Sequence, residues 1–155
     1  TSKSLLKGLD LTGDSGVLWL NGDVVFDHNA VAILAAELRK QRSFVCVDTS
    51  VAGAEEVKYT LGPDGYVQQL SKTVEQPVGE ALGINFISGA DKPVFMQRLR
   101  ECADQDYFEQ GLEWAIERDG LLVKALDISA FGCVEVDFEE DLTRANEFLS
   151  TSSRE

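Results

Sequence analysis

Val17-Leu18-Trp19-Leu20-Asn21-Gly22-Asp23-Val24-Val25-Phe26 is the stretch on which the fold turns. Its first four residues are apolar without a break, the pattern of a central strand buried on both faces. The run stops at a polar tip, Asn21-Gly22-Asp23, so a carboxylate stands at the end of a dry strand beside a glycine that leaves room for close approach. After Val24-Val25-Phe26, Asp27 or Asn29 is placed to cap a helix whose apolar positions Val31, Leu34, Ala35 and Leu38 follow the 3.6-residue period. Arg39, Lys40 and Arg42 suit the negative end of that helix. His28, beside Asp27, reads as a surface residue at the helix start.

Working outward, residues 44–47 repeat the pattern as a second buried strand that ends in Asp48. Residues 57–61 and 66–70 flank Gly62-Pro63-Asp64-Gly65, whose order favours a tight turn and predicts a hairpin. A strand over 82–88 is followed by helices over 93–103 and 107–118, strands over 122–126 and 134–136, and a last helix from after Asp137 to about Leu149. At the other end, residues 1–11 form a short helix capped by Ser2 or Ser4, with Leu5, Leu6 and Leu9 on one side. Strands alternating with amphipathic helices predict an α/β domain, and the hairpin makes its sheet mixed though mostly parallel. The expected organisation is one domain over 1–149 and a polar tail over 150–155.

The chain has 155 residues, 44% hydrophobic and 26% charged, the proportions of a globular domain with a sizeable core. Its 14 Lys+Arg against 27 Asp+Glu give a net charge of −13, which disfavours nonspecific binding to nucleic acid or to anionic membrane surfaces. No apolar run approaches the roughly 18 residues of a spanning helix. Partners are expected to be small, cationic or metal-bridged. Cys46, Cys102 and Cys133 are odd in number and far apart, the usage of free buried thiols in a reducing cytoplasm rather than of a disulfide framework or zinc site. A single histidine excludes a His-rich metal site, and neither Gly-x-Ser-x-Gly, a Walker loop nor Gly-x-Gly-x-x-Gly occurs. Trp19 and Trp114 stand at core-compatible spacings.

In open α/β sheets ligands bind beyond the carboxyl ends of strands, where Asp23 stands. A carboxylate there suits a hard cation such as Mg²⁺, which completes its shell with water and phosphate oxygens; the alternative is a loop aspartate satisfying backbone amides. Asp137 follows another short apolar strand, and with Glu140 three residues on it matches a capping box. One carboxylate oxygen can cap while the other binds metal. Lys72 follows Leu70-Ser71 and can hold a phosphate as a point charge, while Glu80 in Gly79-Glu80-Ala81-Leu82-Gly83-Ile84 lies between glycines that admit a ligand.

Taken in order, Ser4-Leu5-Leu6, the segment from Leu18 to Phe26, Leu70-Ser71-Lys72, Gly79 to Ile84, Tyr107-Phe108-Glu109 and Val134 to Ala145 resemble the sugar-phosphate nucleotidyltransferase family, and within it the choline-phosphate cytidylyltransferase-like branch. The resemblance implies a Rossmann-like nucleotide-diphospho-sugar transferase fold. It implies Mg²⁺ on Asp23 and Asp137, and an acceptor pocket lined by Lys72, Glu80, Gly22 and Gly83. The implied reaction joins a phosphorylated sugar or phosphocholine-like acceptor to a nucleoside triphosphate and releases pyrophosphate. The family opens with a strand and a Gly-rich loop carrying Arg and Lys that bind the triphosphate, and no Gly-x-Gly-x-x-x-Arg occurs in this sequence. The expectation is therefore the later part of a catalytic domain, inactive alone, with an open sheet edge that favours self-association. A non-catalytic α/β interaction module that keeps the fold is the alternative. A phosphoacceptor domain using Asp23 or Asp48 is a further one.

Overall fold

The computed structural model describes residues 1–50 and 53–152. The chain runs α1 (Ser2–Asp10), β1 (Val17–Leu20), β2 (Val24–Phe26), α2 (Ala30–Leu38), β3 (Phe44–Asp48), β4 (Lys58–Leu61), β5 (Val67–Ser71), β6 (Gly79–Ile87), α3 (Lys92–Glu101), α4 (Phe108–Asp119), β7 (Lys124–Asp127), a 3₁₀ turn (Ser129–Phe131), β8 (Cys133–Glu135) and α5 (Glu139–Ser152). The main sheet has the order β5-β4-β6-β3-β7, and β1 also pairs with β6. One edge of β6 carries β3. The other is shared, with β4 on Gly79 and Glu80 and β1 on residues 84–87. The registers make β1, β3, β4 and β7 point one way and β5 and β6 the other. The expected mixed sheet is thus present, although among the described residues β3–β7 is its only parallel ladder because β6 runs opposite to each of its neighbours.

Within β6 the chain makes a bulge. Val45 pairs with Asn85 and Val47 with Ala81, so β6 spends four residues where β3 spends two. An even excess preserves the alternation of faces. Val45, Val47 and Ile87 therefore pack on one side with Phe95, Leu99, Leu112 and Ala115 of α3 and α4. Phe44, Cys46, Ile84 and Phe86 pack on the other, with Leu34 of α2 and Leu126. Gly83 sits at the bulge with φ +66°, and a Cβ on it would lie 2.7 Å from Asn21 Nδ2. The positive φ is what calls for glycine there, and the Asn21 amide would have to shift for any larger residue.

Several local expectations are corrected. β1 is not central: among the described residues it pairs with β6 alone, and Leu18 and Leu20 are 37% and 43% exposed while Val17 and Trp19 pack on the core. An unbroken apolar run does not distinguish a strand covered twice from one with an open side. Ser2 and Ser4 do not cap α1; Thr1 holds that position, and buried Ser2 donates to the Ala103 carbonyl at 3.3 Å. Val31 is half exposed, and the buried positions of α2 include Glu37, whose carboxylate accepts from Lys40 at 2.8 Å and Lys124 at 2.9 Å. Those bonds hold the Glu37 carboxyl below its usual range, the Lys40 bond foremost. Helix α5 continues to Ser152, so the boundary expected at residue 150 falls inside a helix. Residues 153–155 of the expected tail lie outside the described residues.

Buried Lys92 fixes the approach to β1: its ammonium donates to Thr12 Oγ1 at 2.9 Å, to the Ser15 carbonyl at 2.8 Å and to the Gly13 carbonyl. Lys3 in turn donates to the carbonyls of Leu99 and Arg100 at the end of α3, where the last carbonyls of a helix lack partners. These two lysines tie the amino-terminal segment to the two ends of α3.

Gly83→Ala is expected to destabilise the protein by about 2 kcal/mol through positive φ and the contact with Asn21. Gly8→Ala, in α1 with no heavy atom near the added methyl, should instead gain about 0.5–1 kcal/mol. Urea unfolding of both variants checks the contrast.

Candidate active site

At the end of β1 the Asn21 amide donates to the Gly83 carbonyl at 2.8 Å, and the chain turns through Gly22 and Asp23 into β2. β2 then leaves the main sheet and pairs antiparallel with β8, Val24 opposite Glu135 and Phe26 opposite Cys133. The Val136 amide donates to the Asp23 carbonyl at 2.9 Å and extends that ladder by one bond. Because the ribbon is antiparallel, the start of β2 and the end of β8 lie at the same end. Asp23 and Asp137 are brought together there from opposite ends of the sequence.

The capping expected of Asp137 with Glu140 is made by another residue. Asp141 Oδ2 accepts from the amides of Asp137 at 3.2 Å and Phe138 at 2.9 Å, and its other oxygen accepts from Arg144. The Phe138 amide and Arg144 hold the Asp141 carboxyl below its usual range. The acceptor lies four residues after Asp137 rather than three, so the backbone of Asp137 is clamped while its carboxylate is left to the solvent side.

Both aspartates are exposed and line one cleft of about 360 Å³ with Gly22, Gly83, Lys72 and Tyr107. Gly22 has no heavy atom within 4 Å of where a Cβ would stand, so the floor is open there, whereas Gly83 is glycine for its backbone. Glu55, Glu56, Glu109 and Glu135 add to the wall, making it strongly acidic. Burial pushes the Glu135 carboxyl up to about 7, reinforced by a hydrogen bond with Glu56 and by the charges of Glu56, Asp23 and Asp137. Among the described residues no three His, Cys, Asp or Glu side chains are arranged to hold a metal ion by themselves.

Lys72 is exposed, and its ammonium lies 5.6 Å from the centroid of the Tyr107 ring. The cleft continues into a recess of about 290 Å³ that shares Val57, Lys72, Tyr107 and Glu109 with it. Glu80 does not line the cleft: its carboxylate accepts the Gly53 amide at 3.0 Å, and burial raises its pKa. Glu109 is the residue that reasoning from spacing passes over. Its Oε2 is buried with no hydrogen-bond partner, and burial pushes the carboxyl up to about 7 against its own amide, the Thr1 amino group and Lys72. In the sequence it stands in Tyr107-Phe108-Glu109, one of the segments that carry the resemblance, but only the packing around it gives it a distinct character.

The remaining singled-out residues lie elsewhere. Trp19 packs in the core, stacked on Phe95 and edge-on to Phe108, and Trp114 lies under the Arg118 guanidinium. His28 is exposed, 3.5 Å from Asp27 Oδ1. Asp48 accepts from the amide and hydroxyl of Ser50 and has no part in the cleft. The three cysteines are free, and burial pushes the thiols of Cys46 and Cys133 up to about 12.

No protein-family model and no curated protein matches the chain. Solved structures do. The inositol-1-phosphate CTP transferase from T. maritima superposes with a TM-score of 0.70 at 14% identity, over 99% of this chain and 62% of that one. A UTP-bound UGPase from Acinetobacter baumannii gives 0.67 at 12% identity, over 97% of this chain and 55% of that one. At such identities the likeness establishes a shared fold, the Rossmann-like α/β fold of these nucleotidyltransferases. The chain spans about three fifths of the T. maritima protein's length.

Glu109→Gln should change the pH dependence of stability. A carboxyl lifted from 4.5 to about 7 on folding contributes stability that is full below pH 4.5 and lost as pH rises to 7. The variant should therefore match the parent near pH 4.5 and exceed it by about 3 kcal/mol at pH 8, as denaturant unfolding at the two pH values will show.

Proposed function

We propose that the cleft is a nucleotidyl-transfer site, in which an acceptor phosphate oxygen attacks the α-phosphorus of a nucleoside triphosphate. One phosphorus–oxygen bond forms, the bond from the α-phosphorus to the bridging oxygen breaks, and pyrophosphate carries the electron pair away. The observation that carries this reading is the pairing of β2 with β8, which brings Asp23 and Asp137 onto one cleft that Lys72 also lines. The solved structures of like fold are consistent with it.

The donor set suits Mg²⁺. Two exposed carboxylates are too few to fill its shell and leave positions for phosphate and water oxygens, the usual division of ligands for this ion. Their crowding with Glu56 and Glu135 is a density of negative charge that a divalent cation relieves. Bound there, Mg²⁺ would supply the charge neutralisation that lets two anions approach. The protein's own residues do the rest. Asp141 clamps the backbone of Asp137 and so sets the point from which its carboxylate emerges, and the open floor at Gly22 admits a ligand against the main chain. Lys72, free to swing from the Tyr107 ring, orients the acceptor phosphate as a point charge. A phosphorylated sugar and a phosphocholine-like molecule are the acceptors proposed. A non-catalytic module retaining the fold is the second reading.

Mn²⁺ in place of Mg²⁺, followed by water-proton relaxation, tests the metal centre in the protein alone. One site displaced by Mg²⁺ is expected, weakened about 10-fold or more by Asp23→Asn and by Asp137→Asn. Mn²⁺ binding unchanged in both variants would overturn the assignment.

A further inference from the structure

The chain has four asparagines, Asn21, Asn29, Asn85 and Asn146, and Asn21 alone is followed by glycine. The pair stands where β1 ends, outside any helix or strand, and both residues line the cleft with Asp23. Gly22 is exposed, and a Cβ on it would meet no heavy atom within 4 Å. Among the described residues the Gly22 amide donates no hydrogen bond and the Asn21 carboxamide makes none. An electrophilic side-chain carbonyl thus neighbours an unengaged, unhindered main-chain nitrogen. The other asparagines lack this combination. Ala30, after Asn29, carries a methyl group, and its amide donates to the Asp27 carbonyl at 3.0 Å. Asn85 is buried in β6 before Phe86, and Asn146 lies inside α5 before Glu147.

We infer that Asn21-Gly22 is a site of spontaneous self-modification, in which ring closure turns Asn21 into aspartate or isoaspartate at the base of the cleft. The Gly22 nitrogen gives its proton to solvent and attacks the side-chain carbonyl carbon of Asn21. A carbon–nitrogen bond forms, the bond to Nδ2 breaks, and ammonia leaves with that electron pair and a proton. Water then opens the cyclic imide at one carbonyl or the other. The net change is one water taken up and one ammonia released. The acids around the cleft oppose loss of the Gly22 proton, which slows the step without blocking it. Opening toward isoaspartate adds one carbon to the main chain between two anchors, the Asn21 amide on the Gly83 carbonyl and the Asp23 carbonyl on the Val136 amide. The turn that presents Asp23 then no longer fits the span between them. Loss of cation binding on conversion rests on the proposed metal site; the conversion itself does not.

The test is mass spectrometry of the folded protein held at pH 8, sampled over weeks and digested with trypsin. The peptide from Gly8 to Arg39 carries both Asn21 and Asn29, so one serves as control for the other. Asn21 is expected to gain the mass of an amide turned acid about 10-fold faster than Asn29, and isoaspartate methyltransferase to label part of the product. Gly22→Ala should slow the conversion about 10-fold; Gly22 has no positive φ and has room for the methyl, so the variant folds, as circular dichroism will check. The guanidinium-unfolded chain gives the rate without the fold, and the folded protein is expected to convert within about 10-fold of it. Asn21 intact in the folded protein while the unfolded chain converts, equal conversion at Asn29, or no slowing by Gly22→Ala would overturn the inference. Mn²⁺ binding, compared between fresh and converted protein, should weaken about 10-fold. Equal binding by both would overturn that consequence, whereas no binding by the fresh protein would count against the metal site and leave the conversion to be decided by mass.

Discussion

The short ladder between β2 and β8 is the constraint on which the candidate site depends. Three residue pairs and one further bond, from the Val136 amide to the Asp23 carbonyl, join segments that lie near opposite ends of the chain. Such a ribbon is marginal by itself and takes its rigidity from what it rests on. Here that support is the bulge of β6, where the Gly83 carbonyl accepts the Asn21 amide and Val24 packs against the glycine. A side chain at residue 83 would be strained by the positive φ and would crowd the side chains of Asn21 and Val24. The site is therefore built on backbone geometry before any carboxylate is considered.

Charge follows from that geometry. The ribbon, the 55–57 loop and the start of α4 converge acids on one cleft within a protein that is already at −13. Glu109 and Glu135 are both pushed up to about 7, burial being the leading cause for each, with neighbouring carboxylates adding to the effect at Glu135. Such crowding is costly, and its persistence is physically intelligible if the cleft works with a divalent cation bound at the aspartates.

Much of this was legible in the chain, and the failures have identifiable causes. The hairpin at Gly62-Pro63-Asp64-Gly65, the strand-end position of Asp23 and the placement of Asp137 after a short apolar strand depend on local patterns, and the structure has the corresponding elements. The position of β1 was not legible, because four apolar residues look alike whether one face or two are covered. Capping at α5 was misassigned because the acceptor, Asp141, stands one residue beyond the capping-box spacing. Glu80 looked available between its glycines, yet the Gly53 amide occupies it. Glu109 and Glu135 owe their character to burial by segments distant in sequence, a property without local pattern.

The central claim is that the β2–β8 ribbon makes Asp23 and Asp137 two ligands of one cation. A crystal structure of the protein grown with Mn²⁺, with anomalous differences recorded near the manganese edge, tests it most directly. One anomalous peak is expected in the cleft, bonded to a carboxylate oxygen from each aspartate, with its remaining ligands water or added phosphate. A peak held by other residues, or by only one of the two aspartates, would contradict it.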